Sequence, residues 1–515
     1  MVQSVASRLA EHARIRGGAE AVRVIGPLAE AAPPMTYARL HRLVQRVARR
    51  VDRTCAPDAT LMLQCGNRPE LLPVFLGVIA AGRRLFPLGE STTAYERRGL
   101  AERAGARLLL TDAPDRVGGE RDAGGAGEEL EVVALQAWLN EDAPPGSSSV
   151  AGKATDAEGG SEAVLDRDTG WLLLQSSGTT GGPKIVRRDA ASLAAVARNV
   201  AEAVGLLAED RVVSAVPLSH SYGIENGLLA PLWAGAAALH HVLPAGSLPG
   251  RGFDPGLAVT SGATVLPGVP AMFEMIDRMG AGRGRLRRAY SAGGPLPTEL
   301  ARRLEQRDGL RLGQLYGATE IGSVTYGPDP GDVGLPMRGV EVRVLDPGDP
   351  DPGRPLAPGV EGHVAVRGPS MFAGYVDPVA EAENPQPDGF FLTGDLGRLD
   401  GAGRLQITGR LKLLIDVGGA KVNPLEVEQQ LASFPGVGEC VVLPDPVSPT
   451  INRVRAIYTV DPNGVAPDEA ELREFLRRRL AGYKVPRCFE RRESLPKSAT
   501  GKVLRRALLQ PPVPA

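Results

Sequence analysis

One nine-residue run constrains this chain more than any other segment. Residues 176–184 read Ser-Ser-Gly-Thr-Thr-Gly-Gly-Pro-Lys and directly follow Trp171–Gln175, an apolar run typical of a buried strand. Glycines let backbone N–H groups turn towards an anion, the hydroxyls donate further hydrogen bonds, and Lys184 supplies positive charge. The GxxxxGK[ST] spacing of the Walker motif is absent from this run. The run therefore predicts a phosphate-binding loop of another type, and a plain Ser/Gly turn is the alternative.

The segments on either side of this loop predict an α/β fold. Leu61–Leu63 and Leu85–Pro87 read as strands, and the stretch between them, Leu71–Ala81, has helical spacing. A strand, a helix and a second strand predict a parallel sheet with a right-handed crossover. Leu108–Thr111 reads as a further strand, and the alternation in Val340–Val344 predicts a β-rich subdomain.

Length and local composition set the predicted domain organisation. A chain of 515 residues exceeds what one hydrophobic core usually supports, so two or more domains are expected. Residues 115–163 are rich in Gly, Ala, Ser, Pro and Glu, which predicts a flexible insertion with order only near 130–139. After Gly409, short strands and two helices predict a small α+β domain. The predicted fold class is thus α/β, with a large N-terminal domain of parallel-sheet αβα subdomains and a β-rich subdomain, followed by the small α+β domain.

Charge and cysteine content disfavour several classes of function. The formal net charge is −1, which gives no field to hold a nucleic acid or an anionic membrane. The four cysteines form no CxxC pair and no two histidines stand at metal-ligand spacing, so neither a disulfide framework nor a zinc site is expected. No apolar run reaches membrane-spanning length, and Met1–Arg16 reads as a surface helix without a signal-peptide core. A cytoplasmic protein with no membrane or nucleic-acid partner is expected.

Five motifs in a fixed order resemble the signature of the adenylate-forming superfamily, which includes acyl- and aryl-CoA ligases, adenylation domains of peptide synthetases and beetle luciferases. The glycine-rich run is the first motif. The other four are Tyr-Gly-Ala-Thr-Glu at 316–320, Thr-Gly-Asp at 393–395, Gly-Arg-Leu-Lys at 409–412 and Pro-Lys-Ser-Ala-Thr-Gly-Lys at 496–502. The resemblance covers essentially the whole chain, and the acyl-CoA ligase branch fits it best.

The resemblance implies a role for each motif. Lys502 would catalyse adenylation, and Glu320 would hold Mg²⁺, which suits a carboxylate ligand. Thr179 and Lys184 would then serve the departing pyrophosphate. The implied nucleotide-binding residues are Ser176, Ser177, Gly178, Thr180, Gly181, Tyr316 on the adenine, Gly317, Thr319, Asp395 on the ribose and Arg410.

The resemblance also implies a division into residues 1–411 and a mobile C-terminal domain, 412–515, which rotates about a hinge at Lys412. One face of that domain would present Lys502 for adenylation. The opposite face would line the tunnel for the pantetheine thiol with Gly418, Gly419 and Lys421. Ala420 stands where many members of the family carry Glu or a larger residue, which leaves the details of thiol entry open.

The acid pocket is implied by Pro217–Gly223, which resembles the segment that carries a gating residue beside the acyl site. His220 would contact the carboxylate or the adenylate, and a satisfied loop histidine is the alternative. The predicted lining is His220, Ser221, Tyr222, Glu225, Gly293, Gly294 and Gly317. Glu225 would either face solvent, the commoner case, or bind a polar substrate group. The absence of an Asp beside His220 disfavours a free α-amino acid, and the choice among aryl, fatty and polycyclic acids stays open.

The implied activity is ATP-dependent conversion of a carboxylic acid to acyl-AMP with release of pyrophosphate, followed by transfer to the thiol of coenzyme A. ATP, Mg²⁺ and coenzyme A are the implied cofactors, and a monomer or homodimer is expected. One alternative acceptor is the phosphopantetheine of a carrier protein. Two further alternatives are a paralogue that performs one half-reaction and a nucleotide-binding regulator with a dead site, which the five intact polar residues of the motifs disfavour.

Overall fold

The structure of the protein is a computed structural model that describes part of the chain. Backbone is described for residues 4–26, 33–114, 130–139, 169–176, 184–242, 253–294, 296, 298–329, 333–347, 351, 353–376, 387–410, 415–422, 424–448, 451–461, 464–496 and 505–508. At seven of these positions only the backbone is described: 409, 410, 421, 425, 429, 506 and 507.

The strands alternate with helices through most of the chain. They are β1 (Glu20–Ile25), β2 (Met35–Thr36), β3 (Thr60–Gln64), β4 (Arg84–Leu88), β5 (Ala106–Thr111), β6 (Glu131–Ala134), β7 (Trp171–Ser176), β8 (Lys184–Asp189), β9 (Arg211–Ser214), β10 (Ala237–His241), β11 (Val265–Gly268), β12 (Arg288–Ser291), β13 (Leu312–Ala318), β14 (Gly322–Gly327), β15 (Leu335–Pro336), β16 (Glu341–Leu345), β17 (Gly362–Arg367), β18 (Phe391–Leu399), β19 (Leu405–Arg410), β20 (Ile415–Val417), β21 (Ala420–Val422), β22 (Val437–Pro446), β23 (Asn452–Val460) and β24 (Cys488–Arg491).

The α-helices cover Val5–Arg16, Tyr37–Thr54, Leu71–Ala80, Ala94–Ala104, Leu135–Leu139, Ala190–Val204, Ser221–Ile224, Ala230–Ala234, Pro255–Thr260, Pro270–Met279, Thr298–Asp308, Pro424–Ala432 and Glu469–Arg477. A π-helical turn, Glu225–Leu229, joins two of them, and short 3₁₀ turns lie at Pro387–Gly389 and Arg505–Leu508. In the part of the chain that the structure describes, no helix is long and apolar enough to cross a bilayer.

Two large sheets dominate the N-terminal part. Over the described residues, one sheet has the order β15-β14-β13-β12-β11-β9-β10-β1-β2, and the other has the order β6-β5-β3-β4-β7-β8. Strands β1 and β9 to β13 run parallel, as do β3 to β7 within the second sheet, whereas β8, β14 and β15 are antiparallel to their neighbours. The predicted β3-helix-β4 unit is confirmed, including its parallel pairing.

The main core lies between these two sheets. One apolar cluster contains Leu63 and Leu174 from the second sheet, Val212 and Tyr290 from the first, and Val44 from the helix Tyr37–Thr54. Each of these side chains is at most 1% exposed. Strands that are covered on both faces read as continuous apolar runs, which is why Trp171–Gln175 and Leu61–Leu63 stood out in the sequence.

The remaining strands form smaller sheets. Strands β16 to β19 make an antiparallel sheet, which confirms the predicted β-rich subdomain. The C-terminal domain contains the hairpin β20-β21 and the sheet β22-β23-β24, with the helices Pro424–Ala432 and Glu469–Arg477, as predicted. Within the predicted insertion only residues 130–139 are described. There β6 adds to the edge of the second sheet beside β5, and the helix Leu135–Leu139 follows it.

The N-terminal helix is more deeply packed than a surface helix would be. Val5, Ala6, Leu9 and His12 of the helix Val5–Arg16 are buried. The ring of His12 lies 5.3 Å from that of Tyr37, which belongs to the next helix. The sequence prediction of a surface helix is therefore correct for its outer face only.

Candidate active site

The two ends of the glycine-rich run are held by a β-hairpin. Ser176 ends β7, Lys184 begins β8, and the two residues face each other in antiparallel register. Ser177, Gly178, Thr179, Thr180 and Gly181 lie outside the described residues, so their predicted roles stay predictions. The structure nevertheless fixes where both ends of the loop leave the sheet.

Glu320 lies at the mouth of this hairpin. Its carboxylate accepts a hydrogen bond from the Ser176 hydroxyl, and its Oε1 lies 3.3 Å from the Tyr375 hydroxyl. The ammonium of Lys184 is 5.2 Å from the centroid of the Tyr375 ring. Ser176, Lys184 and Glu320 are each no more than 9% exposed. The first and second sequence motifs therefore converge, as predicted, with a carboxylate and an ammonium close to one aromatic side chain.

The donor set around Glu320 fits Mg²⁺. The site offers a carboxylate and the Ser176 hydroxyl, and oxygen ligands of this kind together with phosphate oxygens are what Mg²⁺ prefers. When bound there, the ion would neutralise charge on the phosphates.

The third motif meets the second through a short hydrogen bond. The Tyr316 hydroxyl donates to Asp395 Oδ2 over 2.7 Å, and both side chains are buried. The Asp395 backbone N–H donates to Thr393 Oγ1 over 3.1 Å, which fixes the start of the carboxylate-bearing turn. Asp395 is also the cross-strand partner of Arg410, whose side chain is not described. The structure therefore brings the predicted adenine and ribose residues together.

The turn after Tyr316 allows only a glycine at its first position. A Cβ atom at Gly317 would lie 2.3 Å from the Gly322 carbonyl oxygen, which is far inside van der Waals contact. Gly317 itself is exposed, and Thr319 is half-buried. At the predicted pocket floor, the backbones of β13 and β14 therefore approach so closely that residue 317 must be a glycine.

The predicted acid pocket surrounds the carboxyl ends of β11 and β12. The Tyr222 hydroxyl donates to the Gly268 carbonyl over 3.0 Å, and Ser221 begins the short helix that precedes the π-helical turn. Gly293 and Gly294 follow β12 after one intervening residue, and a Cβ atom at Gly293 would be 3.9 Å from Val269. Ligands of open α/β sheets bind at this edge.

The His220 side chain is exposed to solvent, and the protein around it still displaces part of the water near the ring. This desolvation lowers the pKa of the imidazole, and the positive charge of Lys484 lowers that pKa further. The ring is therefore neutral at pH 7 and can donate one hydrogen bond and accept another.

The sequence expectation that Glu225 commonly faces solvent is wrong. Glu225 is 2% exposed, and its Oε1 accepts from the Arg188 guanidinium over 3.0 Å. Its Oε2 accepts from the backbone N–H and the hydroxyl of Ser323, at 2.8 and 2.6 Å. Arg188 lies 37 residues away on β8, so the sequence pattern around Glu225 could not reveal the pairing. One sequence pattern could have indicated the burial of Arg188. Side chains alternate along a strand, so Arg188 lies on the same face of β8 as the buried Val186.

The hairpin β20-β21 packs against the wall of the acid pocket. Gly418 and Gly419 form its turn with positive φ angles, and the Gly419 N–H donates to Asp416 Oδ1 over 2.7 Å. A Cβ atom at Gly419 would lie 3.3 Å from the Val269 side chain. The face that we expect to line the thiol tunnel is thus the face turned towards the pocket, and Lys421 has only its backbone described.

A second contact between the two parts was missed by the sequence reasoning. The Lys484 ammonium lies 3.2 Å from Glu96 Oε1 on the N-terminal part and 2.8 Å from Glu426 Oε1 on its own domain. Glu96 Oε1 also accepts from the Ala481 backbone N–H over 2.9 Å. The Arg479 guanidinium stacks 5.7 Å from the Tyr95 ring beside this contact. Lys412 and Lys502 lie outside the described residues, so the predicted hinge and adenylation lysine stay predictions.

Comparison with known proteins places the chain in a family. A family model described as AMP-binding enzyme matches residues 9–376, and its C-terminal domain model matches residues 426–502. The chain belongs to the AMP-binding enzyme family. The oxalate–CoA ligase of Arabidopsis thaliana is 31% identical over 498 residues, which are 92% of this chain and 93% of the relative. A feruloyl-CoA synthase of Amycolatopsis sp is 30% identical over 489 residues, 92% of each protein.

A solved structure extends the family likeness to the arrangement of the chain. A malonyl-CoA ligase in a ternary product complex with methylmalonyl-CoA and AMP superposes with a TM-score of 0.72 at 27% identity, over 93% of this chain and 96% of the other. The predicted superfamily and fold class are confirmed. So is the predicted class of enzyme: this AMP-binding enzyme is an AMP-forming acid–CoA ligase that uses ATP and coenzyme A.

Proposed function

We propose that this ligase activates a carboxylic acid without an α-ammonium group, with Mg²⁺ held at Glu320, and then passes the acyl group to coenzyme A at the pocket faced by Gly419. The observation that carries the proposal is the convergence of Ser176, Lys184 and Glu320 around Tyr375, with all three buried at the mouth of the glycine-rich hairpin.

The first step must bring a carboxylate to an anionic triphosphate. The chain has to hold the carboxylate oxygen in line with the α-phosphorus and to offset the developing negative charge. Lys184 supplies a buried positive charge near the departing pyrophosphate, and Lys502 is proposed to reach the carboxylate and the α-phosphate. Asp395 and Tyr316 hold the ribose and adenine. The acid oxygen bonds to phosphorus, the bond to the β-phosphate bridging oxygen breaks, and acyl-AMP and pyrophosphate result.

The second step needs room for a thiol beside the acyl carbon. In the described arrangement the turn at Gly419 faces Val269 and the pocket wall, which supports a role in guiding the pantetheine arm. Attack of the thiolate on the acyl carbon forms the thioester bond and releases AMP. Neutral His220, which directly precedes the helix Ser221–Ile224 beside the pocket, is proposed to contact the reacting carboxyl group.

The pocket supports an acid that carries no ammonium group near its carboxylate. An amino acid would need a free carboxylate for its ammonium, and both oxygens of Glu225 already have protein partners. Within the described part of the site, the Glu225 carboxylate is therefore not available to bind an ammonium group. Oxalate and ferulate, the acids named for two relatives, are reasonable first candidates.

A panel of acids tests this proposal. The purified protein is incubated with ATP, Mg²⁺ and each acid, pyrophosphate release is measured, and the products with coenzyme A or a phosphopantetheine carrier protein are identified by mass. We expect a CoA thioester from at least one non-amino acid. Thioester on the carrier protein alone would favour the alternative acceptor, and no pyrophosphate release with any acid would refute the proposal.

The adenylation lysine is tested with the same assay. Lys502→Ala should abolish formation of acyl-AMP, while thioester formation from supplied acyl-AMP is largely retained. Loss of both half-reactions together would contradict the use of two different faces of the C-terminal domain.

A further inference from the structure

Arg188 is the largest side chain among the fully buried residues of the described chain. Its Nη1 lies 3.0 Å from Glu225 Oε1, and the two side chains are 0% and 3% exposed. Removing two opposite charges from water costs several kcal/mol per ion, which close geometry and further hydrogen bonds must offset. The other hydrogen-bond partners of Arg188 and Glu225 therefore indicate which part of the site the pair holds in place.

Apart from Ser192 Oγ, which accepts from Arg188 Nε over 3.2 Å, those partners are the two ends of the turn that carries Glu320. Arg188 Nη1 approaches the Thr319 carbonyl at 3.5 Å, and Nη2, which has no hydrogen-bond partner, lies against Gly322. Glu225 Oε2 accepts two hydrogen bonds from Ser323, one of them from the backbone. The ion pair thus contacts the residue before Glu320 on one side and the start of β14 on the other.

The strand that carries Arg188 also carries Lys184. Side chains on a strand alternate between its faces, so Lys184 and Arg188, four residues apart, point to the same side of β8. Lys184 reaches Tyr375, whose hydroxyl is 3.3 Å from Glu320, while Arg188 reaches Thr319. Two side chains of one strand therefore set the distance between the glycine-rich hairpin and the Thr319–Glu320 segment.

Glu225 connects this arrangement to the acid pocket. It is the first residue of the π-helical turn, directly after the short helix that contains Tyr222. The adjacent Asn226 donates to the Tyr222 carbonyl and to Ser323 Oγ, each over 3.2 Å. The same turn therefore contacts both the acid-pocket segment and the metal-binding segment.

We infer that Arg188 and Glu225 are positioning residues for acid activation. They hold Thr319 and Glu320 in register with Lys184, and neither touches the reactants. The inference rests on the proposed function, because it assigns Glu320 and Lys184 to the phosphates. A displacement of about 1 Å in a phosphoryl-transfer site can lower the rate about 100-fold. A pair that only stabilised the fold would be replaceable by neutral side chains without such a loss.

The decisive variant is the double substitution Arg188→Met/Glu225→Gln. It leaves no buried charge unpaired, and the glutamine oxygen can still accept from Ser323. Acid-dependent ATP–pyrophosphate exchange should fall by about 10- to 100-fold and need more Mg²⁺ for half-maximal rate. Thioester formation from supplied acyl-adenylate should stay within about threefold of wild type, since that step does not use the phosphate segment.

A control removes an ion pair beside the amino end of β9, in the other large sheet. Asp210 precedes β9, is 2% exposed and accepts from Arg287 Nε over 2.7 Å. Arg287→Met/Asp210→Asn should lower the melting temperature while the ratio of the two half-reactions stays unchanged. Arg188→Lys, which keeps the charge and loses the fork geometry, should recover part of the exchange activity.

Two results would overturn the inference. One is wild-type exchange activity in the Arg188→Met/Glu225→Gln protein, and the other is an equal loss of both half-reactions in step with its melting temperature. If that protein does not fold, the same ratio measured for Arg188→Lys decides the matter. Failure of the proposed function is distinguishable, because the wild-type protein would then show no exchange with any acid.

Discussion

The contact of Lys484 with Glu96 predicts a selective defect in thioester formation. Glu96 Oε1 accepts from the Lys484 ammonium at 3.2 Å and from the Ala481 N–H at 2.9 Å, and both charged side chains are at most 10% exposed. Charge-assisted hydrogen bonds of this kind contribute about 1.5–3 kcal/mol each. In the Glu96→Ala protein, Lys484 still has the Glu426 carboxylate as its partner. The substitution therefore leaves no unpaired buried charge on the C-terminal domain.

Losing both bonds, about 3–6 kcal/mol together, would lower the ratio of docked to undocked C-terminal domain more than about 100-fold. We expect Glu96→Ala to slow thioester formation from supplied acyl-adenylate and coenzyme A at least about tenfold. Pyrophosphate exchange should change by less than about twofold, because we propose that adenylation uses the other face of the domain. Single-turnover rates for each half-reaction provide the measurement.

Thr93→Ala is the control for Glu96→Ala. Glu96 also closes a capping box with Thr93 at the start of the helix Ala94–Ala104, and loss of that cap costs about 1 kcal/mol of overall stability. Thr93→Ala should lower the melting temperature without changing the ratio of the half-reactions. An equal effect of Glu96→Ala on both half-reactions, or none on either, would refute the assignment of this contact to the thioester-forming arrangement.

Three further predictions follow from single sites. Gly419→Ala places a side chain on a residue with φ +93°, a backbone strain of about 1–3 kcal/mol. It should slow thioester formation about tenfold or more in the same single-turnover assay. Gly401→Ala is the control, because a Cβ atom at Gly401 meets open space, and it should leave that rate unchanged. Asp395→Asn removes the charge that Tyr316 contacts and should raise the KM for ATP about 10-fold or more in pyrophosphate exchange; an unchanged KM would argue against the ribose role. Burial lowers the pKa of His240 from its ordinary 6.5 to about 4. Between these two pH values the unfolded chain binds a proton at this ring and the folded chain does not. The free energy of unfolding should therefore fall by up to about 3 kcal/mol as the pH drops from 6.5 to 4. Denaturant unfolding of wild type and His240→Asn across that range should show a flatter pH profile for the variant.

Local patterns predicted the elements that carry the nucleotide motifs. The continuous apolar run before Ser176 and the strand-helix-strand unit ending at Leu88 were readable because buried parallel strands leave an uninterrupted hydrophobic signal. The convergence of Ser176 with Glu320 and of Tyr316 with Asp395 came from the family resemblance, since these residues are 144 and 79 positions apart.

Pairings that depend on tertiary structure were not predictable from the sequence. The strand order is one such feature. Strand β1 pairs with β10, which is distant in sequence, and local sequence patterns do not show which distant strands pair. Glu225 was expected either to face solvent or to bind a polar substrate group, because its partner Arg188 is distant in sequence and the π-helical turn has no periodic signal. The Glu96–Lys484 contact joins positions 388 residues apart across a domain boundary, where composition gives no guide.

The hairpin that carries the glycine-rich run has a consequence for protein engineering. Because Ser176 and Lys184 are paired across two antiparallel strands, the seven residues between them begin and end at neighbouring points of one sheet. A connection closed in this way can change in length without shifting the register of β7 or β8. Loops from other members of the family should therefore be exchangeable at this position as self-contained cassettes, which would allow the strength of phosphate binding to be varied while the acid pocket is left untouched.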